Sequence, residues 1–214
     1  NPTGAVYTPE ETKRLVEFAV KHDLWILDDM IYSTLVWTDV GYTSPCAFEG
    51  GSERTITIGG WSKGWAMTGW RLGWITGPTE VMDGVKVVNV SSATHVPTFL
   101  MPAAAKALSL EEEVQEMKDA FAERRVLMHQ GLSSLPGFVV PEPEGAFYIL
   151  CGITGTGLTD IEFAHQALEH AQVQVIPGSL MKGGDGLIRI SYATSIANIH
   201  EGVRRLREWL ESRN

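Results

Sequence analysis

Cysteine is scarce in this 214-residue chain: Cys46 and Cys151 stand far apart, each among apolar or small neighbours. Two such thiols do not make a disulfide framework, and the simplest reading is a protein of a reducing, cytoplasmic compartment. Positive charge is short as well. Seventeen Lys and Arg face 26 Asp and Glu, a formal net charge of -9, which argues against a surface built for nucleic acid or anionic membrane. No apolar run reaches the length of a membrane span. The six histidines and two cysteines lack metal-ligand spacing; His165 and His170 are five apart and do not share a helix face, so no metal is expected. "GITGTG" at 152–157 lies where a dinucleotide loop would lie, but its glycines run G-x-x-G-x-G and no acidic residue follows at about 20 positions, so nucleotide binding is not expected there. There is no internal repeat and no low-complexity segment.

What is present is core-forming material: 44% hydrophobic residues and 20% charged ones, enough for one large or two modest globular domains. The opening, "NPTGAVYTPEETKRLVEFAVKHD", starts a helix near residue 8: Thr8, Pro9 and Glu11 form a capping box with proline at the first helical position. Leu15, Phe18, Ala19 and His22 are expected to continue one face of it. A turn tetrapeptide comes first, with no strand to hold Asn1, so the chain is expected to begin inside a domain and to be a fragment.

After that helix come short apolar runs bounded by Gly, Pro or Asp, namely "LWILDD" at 24–29, "RTITIGG" at 54–60 and "RLGWITG" at 71–77. Runs apolar on both faces that follow a helix predict a buried, mostly parallel sheet of α/β type. Residues 79–108 read as mostly helical, and 111–135 as a long helix with Val114, Met117, Phe121, Met128 and Leu132 on one stripe, linking two domains. Beyond it strands and helices alternate: "GFVVPEP", "GAFYILC", a helix opened by Thr159 and Glu162, "VQVIPG", "LIRISYA", and a last helix burying Ile196, Ile199, Val203, Leu206 and Leu210. "GGDG" at 183–186 reads as a turn. The chain is divided near residue 105, giving a first domain of 1–105 and a smaller α+β domain of 106–214.

One stretch invites chemistry. "WSKGWAMTGWRLGW", 61–74, sets Lys63 and Arg71 among four tryptophans with no acidic side chain. A lysine in such company loses the hydration that favours its ammonium form and becomes a nucleophile able to bond a carbonyl carbon. Arg71 stays charged and offers a planar fork to a phosphate or carboxylate. The plain alternative is a snorkelling Lys and Arg on an amphipathic surface hairpin.

The surrounding motifs weigh against that alternative. N-P-T-G at the start, D-M-I-Y at 29–32, S-K followed by A-M-T-G-W-R-L-G, and R-I-S-Y-A at 189–193 together resemble the class I/II aminotransferases of the aspartate aminotransferase family, fold-type I pyridoxal-phosphate enzymes. The resemblance runs in order along the whole chain and implies the C-terminal half of such an enzyme: residues 1–105 as part of the cofactor-binding large domain, 106–214 as the small domain. It implies pyridoxal 5'-phosphate as cofactor and ping-pong transfer of an amino group from an amino acid to a 2-oxo acid. In that reading Lys63 forms the internal aldimine and later shuttles the proton. Asp29 faces the pyridine nitrogen and keeps the ring protonated, while Asp28 points to the other side of an extended strand. Tyr32 and Asn1 donate to the cofactor's phenolic oxygen, Arg71 pairs with its phosphate, and Arg189, together with Asn1, binds the substrate carboxylate. The bland alternatives are a strand-end cap for Asp29 and a solvent-facing edge residue for Arg189. The family often has a hydroxyl residue three positions before the lysine, where this sequence has Gly60; Ser62 is the substitute candidate for that cofactor contact. The resemblance further implies a homodimer. Other readings stay open: a lyase, deaminase or synthase on the same fold, a cofactor-sensing domain of a transcriptional regulator, or an inactive remnant.

Overall fold

The computed structural model describes residues 1–213, which divide into two compact units. One runs from Val6 to Lys118; the other joins Asn1–Ala5 to the chain from Asp119 onward. The opening pentapeptide therefore belongs with the second half of the sequence, and the boundary falls inside the long helix α4, Glu111–Ser133.

In the first unit, helix α1 spans Pro9–Lys21 and begins as its sequence dictates. The Thr8 hydroxyl accepts the Glu11 N–H at 3.2 Å, and the Glu11 carboxylate accepts the Thr8 N–H at 2.8 Å. The buried stripe, however, is Thr12, Val16 and Ala19, while Leu15 and Phe18 stay 51% and 56% exposed. α1 carries two apolar stripes, and the one made of smaller side chains is packed. Strands β1 (Ile26–Asp29), β2 (Thr55–Gly60) and β3 (Gly73–Thr76) form one sheet in that order. β1 and β2 run parallel, with Asp29 opposite Ile58; β2 and β3 are antiparallel, with Gly60 opposite Gly73. All four residues of β3 are exposed, contrary to the expectation of a sheet buried on both faces. Helices α2 (Thr79–Ser92) and α3 (Leu100–Ala107) follow, separated by a break in which Thr94 adopts a positive φ and Pro97 removes a donor.

The second unit is built on the antiparallel sheet β4-β6-β5, from Tyr148–Gly152, Leu187–Ser191 and Ile176–Pro177. Its core face holds Ile149, Cys151 and Ile188, all fully buried, with α5 (Asp160–Ala171) and α6 (Ile196–Ser212) supplying Phe163, Ala167, Ile199, Leu206, Trp209 and Leu210. "GFVVPEP" is not a strand. Pro141 and Pro143 remove ladder donors, and only the isolated bridge of Val139 to Gly152 forms. α5 opens with the expected capping box, Thr159 hydroxyl to Glu162 N–H at 3.2 Å and the Glu162 carboxylate to Thr159 N–H at 2.9 Å. Thr159→Ala is expected to cost about 1 kcal/mol, read as a lower midpoint in urea with an unchanged slope.

The loop between β5 and β6 crosses itself. A Cβ added at Gly178 would lie 2.1 Å from the Gly184 carbonyl oxygen, and one at Gly184 would lie 2.2 Å from that of Gly178. Only two glycines allow that contact. Asp160, 4% exposed, closes the loop by accepting the N–H of Ser179 at 2.7 Å and of Gly186 at 3.5 Å. Burial pushes its carboxyl up, but the hydrogen bonds from Ser179 and Gly186 outweigh that and hold it below the usual carboxylate range.

Candidate active site

Parallel strands place their ligand-binding groups beyond their C-terminal ends. Here β1 ends at Asp29 and β2 at Gly60, side by side, and each runs into a loop carrying residues singled out by sequence.

Asp29 and Asp28 lie on opposite faces of β1, as an extended strand requires. One oxygen of Asp29 accepts the Ile31 N–H at 3.3 Å, so the strand-end cap is present. Asp28 instead accepts a short hydrogen bond from the Tyr42 hydroxyl. Burial raises the Asp28 carboxyl above its ordinary value, opposed by the Tyr42 bond and reinforced by the charge of Asp29; burial and Asp28 likewise push the Tyr42 phenol up. That pair ties the loop after β1 back onto the strand. Tyr32 sits in this loop within consecutive turns: Ser33 N–H bonds to the Met30 carbonyl at 2.9 Å and Leu35 N–H to that of Tyr32 at 2.8 Å.

The loop after β2 contains Ser62, Lys63 and Arg71. It is closed by Trp61 N–H to the Leu72 carbonyl at 3.3 Å and by Met67 N–H to the Trp61 carbonyl at 3.2 Å. The Trp61 indole N–H also bonds the Ala104 carbonyl at 3.0 Å, anchoring the loop on α3. Ser62 and Lys63 are half-buried. The four tryptophans do not wrap the lysine uniformly. Trp61 and Trp65 are half-buried with ring centroids 6.5 Å apart, whereas Trp70 and Trp74 are largely exposed. Arg71 is exposed, adopts a left-handed backbone with φ of 55°, and donates from Nη1 to the Thr68 carbonyl at 2.9 Å.

Gly64 brings the two loops together. A Cβ built there would lie 2.3 Å from the Thr34 hydroxyl oxygen, so only glycine lets the residue beside Lys63 meet the residue two beyond Tyr32. The sequence held this contact without announcing it. Lys63, Ser62, Asp29, Tyr32 and Arg71 therefore occupy one end of one sheet. Arg189 and Asn1 belong to the other unit, where Arg189 Nη1 donates to Asn1 Oδ1 at 2.8 Å. An amine, a carboxylate, a phenol, a hydroxyl and a guanidinium at the end of a parallel pair can hold and polarise a small anionic carbonyl compound.

Residues 1–206 match the family described as aminotransferase class I and II. This chain belongs to that family. Among class I and II aminotransferases it is 39% identical, over its whole length, to an aspartate aminotransferase of Pyrococcus abyssi, and 40% identical to aromatic-amino-acid aminotransferase 2 of Thermococcus litoralis, covering 56% of each. The structure of an aromatic aminotransferase from Pyrococcus horikoshii superposes with a TM-score of 0.96 at 38% identity, over 100% of this chain and 58% of that one. N-succinyldiaminopimelate aminotransferase from Mycobacterium tuberculosis superposes at 0.92 and 29% identity, over 98% of this chain and 56% of that one. The chain thus spans a little over half the length of these aminotransferases. Among the described residues, no helix of this family member is long and apolar enough to cross a membrane.

Proposed function

We propose that this chain supplies the lysine-bearing part of an aminotransferase that moves an amino group from an amino acid to a 2-oxo acid by a ping-pong route. The observation that carries this reading is the gathering of Lys63, Asp29 and Tyr32 at the C-terminal ends of β1 and β2, held by the contact of Gly64 with Thr34. Members of the family use pyridoxal 5'-phosphate, and the donor set present fits it in charge and chemistry. When bound, that group supplies an aldehyde for the incoming amine and a pyridinium ring that accepts the electrons released at the substrate α-carbon.

The chain's own residues do the rest. Lys63 Nζ would hold the group through its aldehyde, and would carry the proton to and from the substrate α-carbon. Asp29 would hold a proton at the ring nitrogen by its negative charge. Its remaining fixed bond, to Ile31 N–H, keeps the carboxylate oriented at the strand end. Tyr32 would donate to the phenolic oxygen, Arg71 and Ser62 would hold the phosphate, and Arg189 would clamp the substrate carboxylate. Asn1 meets Arg189 through its side-chain oxygen, and in this reading its amide would be a donor to the phenolic oxygen.

In the whole protein, residues 1–105 are read as part of the large cofactor-binding domain and 106–214 as the small domain, in a cytoplasmic homodimer. Both cysteines are free thiols, which supports a reducing compartment. The test is reductive trapping. Borohydride treatment of the full-length protein with pyridoxal 5'-phosphate, followed by peptide mass spectrometry, is expected to place the pyridoxyl group on Lys63, and the loaded protein should transfer an amino group to 2-oxoglutarate. An adduct on Lys86 or Lys182 instead would overturn the assignment.

A further inference from the structure

The antiparallel register of β4 and β6 places two side chains in diagonal contact. Tyr148 lies opposite Ser191, and Arg189 opposite Leu150. Residues two apart along a strand share a face, so Tyr148, Leu150, Arg189 and Ser191 all stand on one side of the sheet, away from the face bearing Ile149, Cys151 and Ile188. The diagonal of such a ladder is within reach of an aromatic ring and a long side chain. The reach is used: the Arg189 guanidinium carbon lies 4.6 Å from the centroid of the Tyr148 ring, which is 8% exposed.

Two contacts then restrain the fork. The guanidinium carbon lies over the Tyr148 ring, and Asn1 Oδ1 takes one Nη1 hydrogen at 2.8 Å. The guanidinium is planar by itself; contact with the ring and with Asn1 holds that plane in one orientation, and bidentate pairing with a carboxylate needs the plane correctly aimed. A ring against the cation also replaces water on that side, which strengthens attraction to an incoming anion.

We propose that Tyr148 is a positioning residue for carboxylate binding, acting through Arg189 by cation–π stacking, its hydroxyl not being required for that role. This rests on the reading of Arg189 as the carboxylate clamp, and the experiment separates the two. Full-length holoenzyme is titrated calorimetrically with maleate, which binds without turnover, and KM for the 2-oxo acid is measured alongside. Tyr148→Phe should bind about as wild type does. Tyr148→Met, which fills much of the space without a π face, should bind about 2- to 30-fold more weakly and raise KM with a smaller change in kcat. It should add nothing in an Arg189→Ala background.

A series of phenylalanines at position 148 bearing one, two and three ring fluorines keeps the shape and drains the π face. Affinity falling stepwise with fluorine number supports stacking, and serves equally if the Met variant does not fold. Unchanged affinity across that series, with Arg189→Ala still weakening maleate binding, overturns the stacking role and spares the clamp. Undiminished binding by Arg189→Ala overturns both.

Discussion

Lys63→Ala in the full-length enzyme is expected to lower kcat by about 10⁴-fold or more, because on the proposed function one substitution would remove both the covalent attachment and the proton carrier. Lys86→Ala should leave kcat within about twofold. Lys86 is 74% exposed and paired with Asp83 at 3.0 Å on the surface of α2, an arrangement worth little in any protein. The measurement is single-turnover transfer from a saturating amino acid, so that weakened substrate binding is not mistaken for lost chemistry. Equal losses in the two variants, or a loss below about 100-fold for Lys63→Ala, would remove the lysine from the centre of the mechanism. Lys63 is half-buried in a loop whose closing hydrogen bonds are made by backbone groups and by Trp61, and the urea midpoint of the variant is measured alongside to separate lost chemistry from lost fold.

Asp160→Ala carries the largest expected effect on stability. It strips the acceptor from two backbone N–H groups inside a loop whose strands cross glycine on glycine. A buried donor left without a partner costs about 1–3 kcal/mol, so the variant should lose about 3 kcal/mol, or about 6–12 °C in Tm. Asp160→Asn, which keeps one acceptor oxygen, should lose less. The carboxyl is held below its ordinary value in the fold, so its contribution is complete above the unfolded-state pKa of about 3.9 and disappears as pH falls through the lower folded value. Urea midpoints of wild type and Asp160→Asn should therefore converge on acidification below about pH 4 and stay apart at neutral pH. A constant difference down to pH 2 would mean that the charge plays no part.

Sequence reading succeeded where a local rule decides the outcome. Both capping boxes open helices as expected, because a Thr and a Glu three positions apart satisfy each other whatever lies beyond the helix. "TITIGG" and "LIRIS" are strands, since β-branched runs between turn formers have few alternatives. The failures share a cause, which is that partners distant in sequence chose between options local rules left open. On the face expected for α1 Ala19 is buried, but packing selected Val16 over Leu15 and Phe18. β3, which reads as an interior strand, is a separate case: it is exposed throughout in a chain that spans 56% of the length of its relatives. In the candidate site, motif residues could be singled out one at a time, but the contacts that support them could not. Tyr42 on Asp28, Thr34 against Gly64 and Tyr148 under Arg189 all depend on register and loop packing that no single stretch encodes.

The meeting of Gly64 with Thr34 has an evolutionary corollary. A side chain that performs the chemistry and a neighbour that performs none are constrained by different selections, and the mute neighbour is the less forgiving of the two where shape is concerned. Lineages that abandoned turnover while retaining the architecture should let the lysine drift first and the glycine last, so a descendant with a substituted amine beside an intact glycine would bear the mark of a retired enzyme still employed as a scaffold.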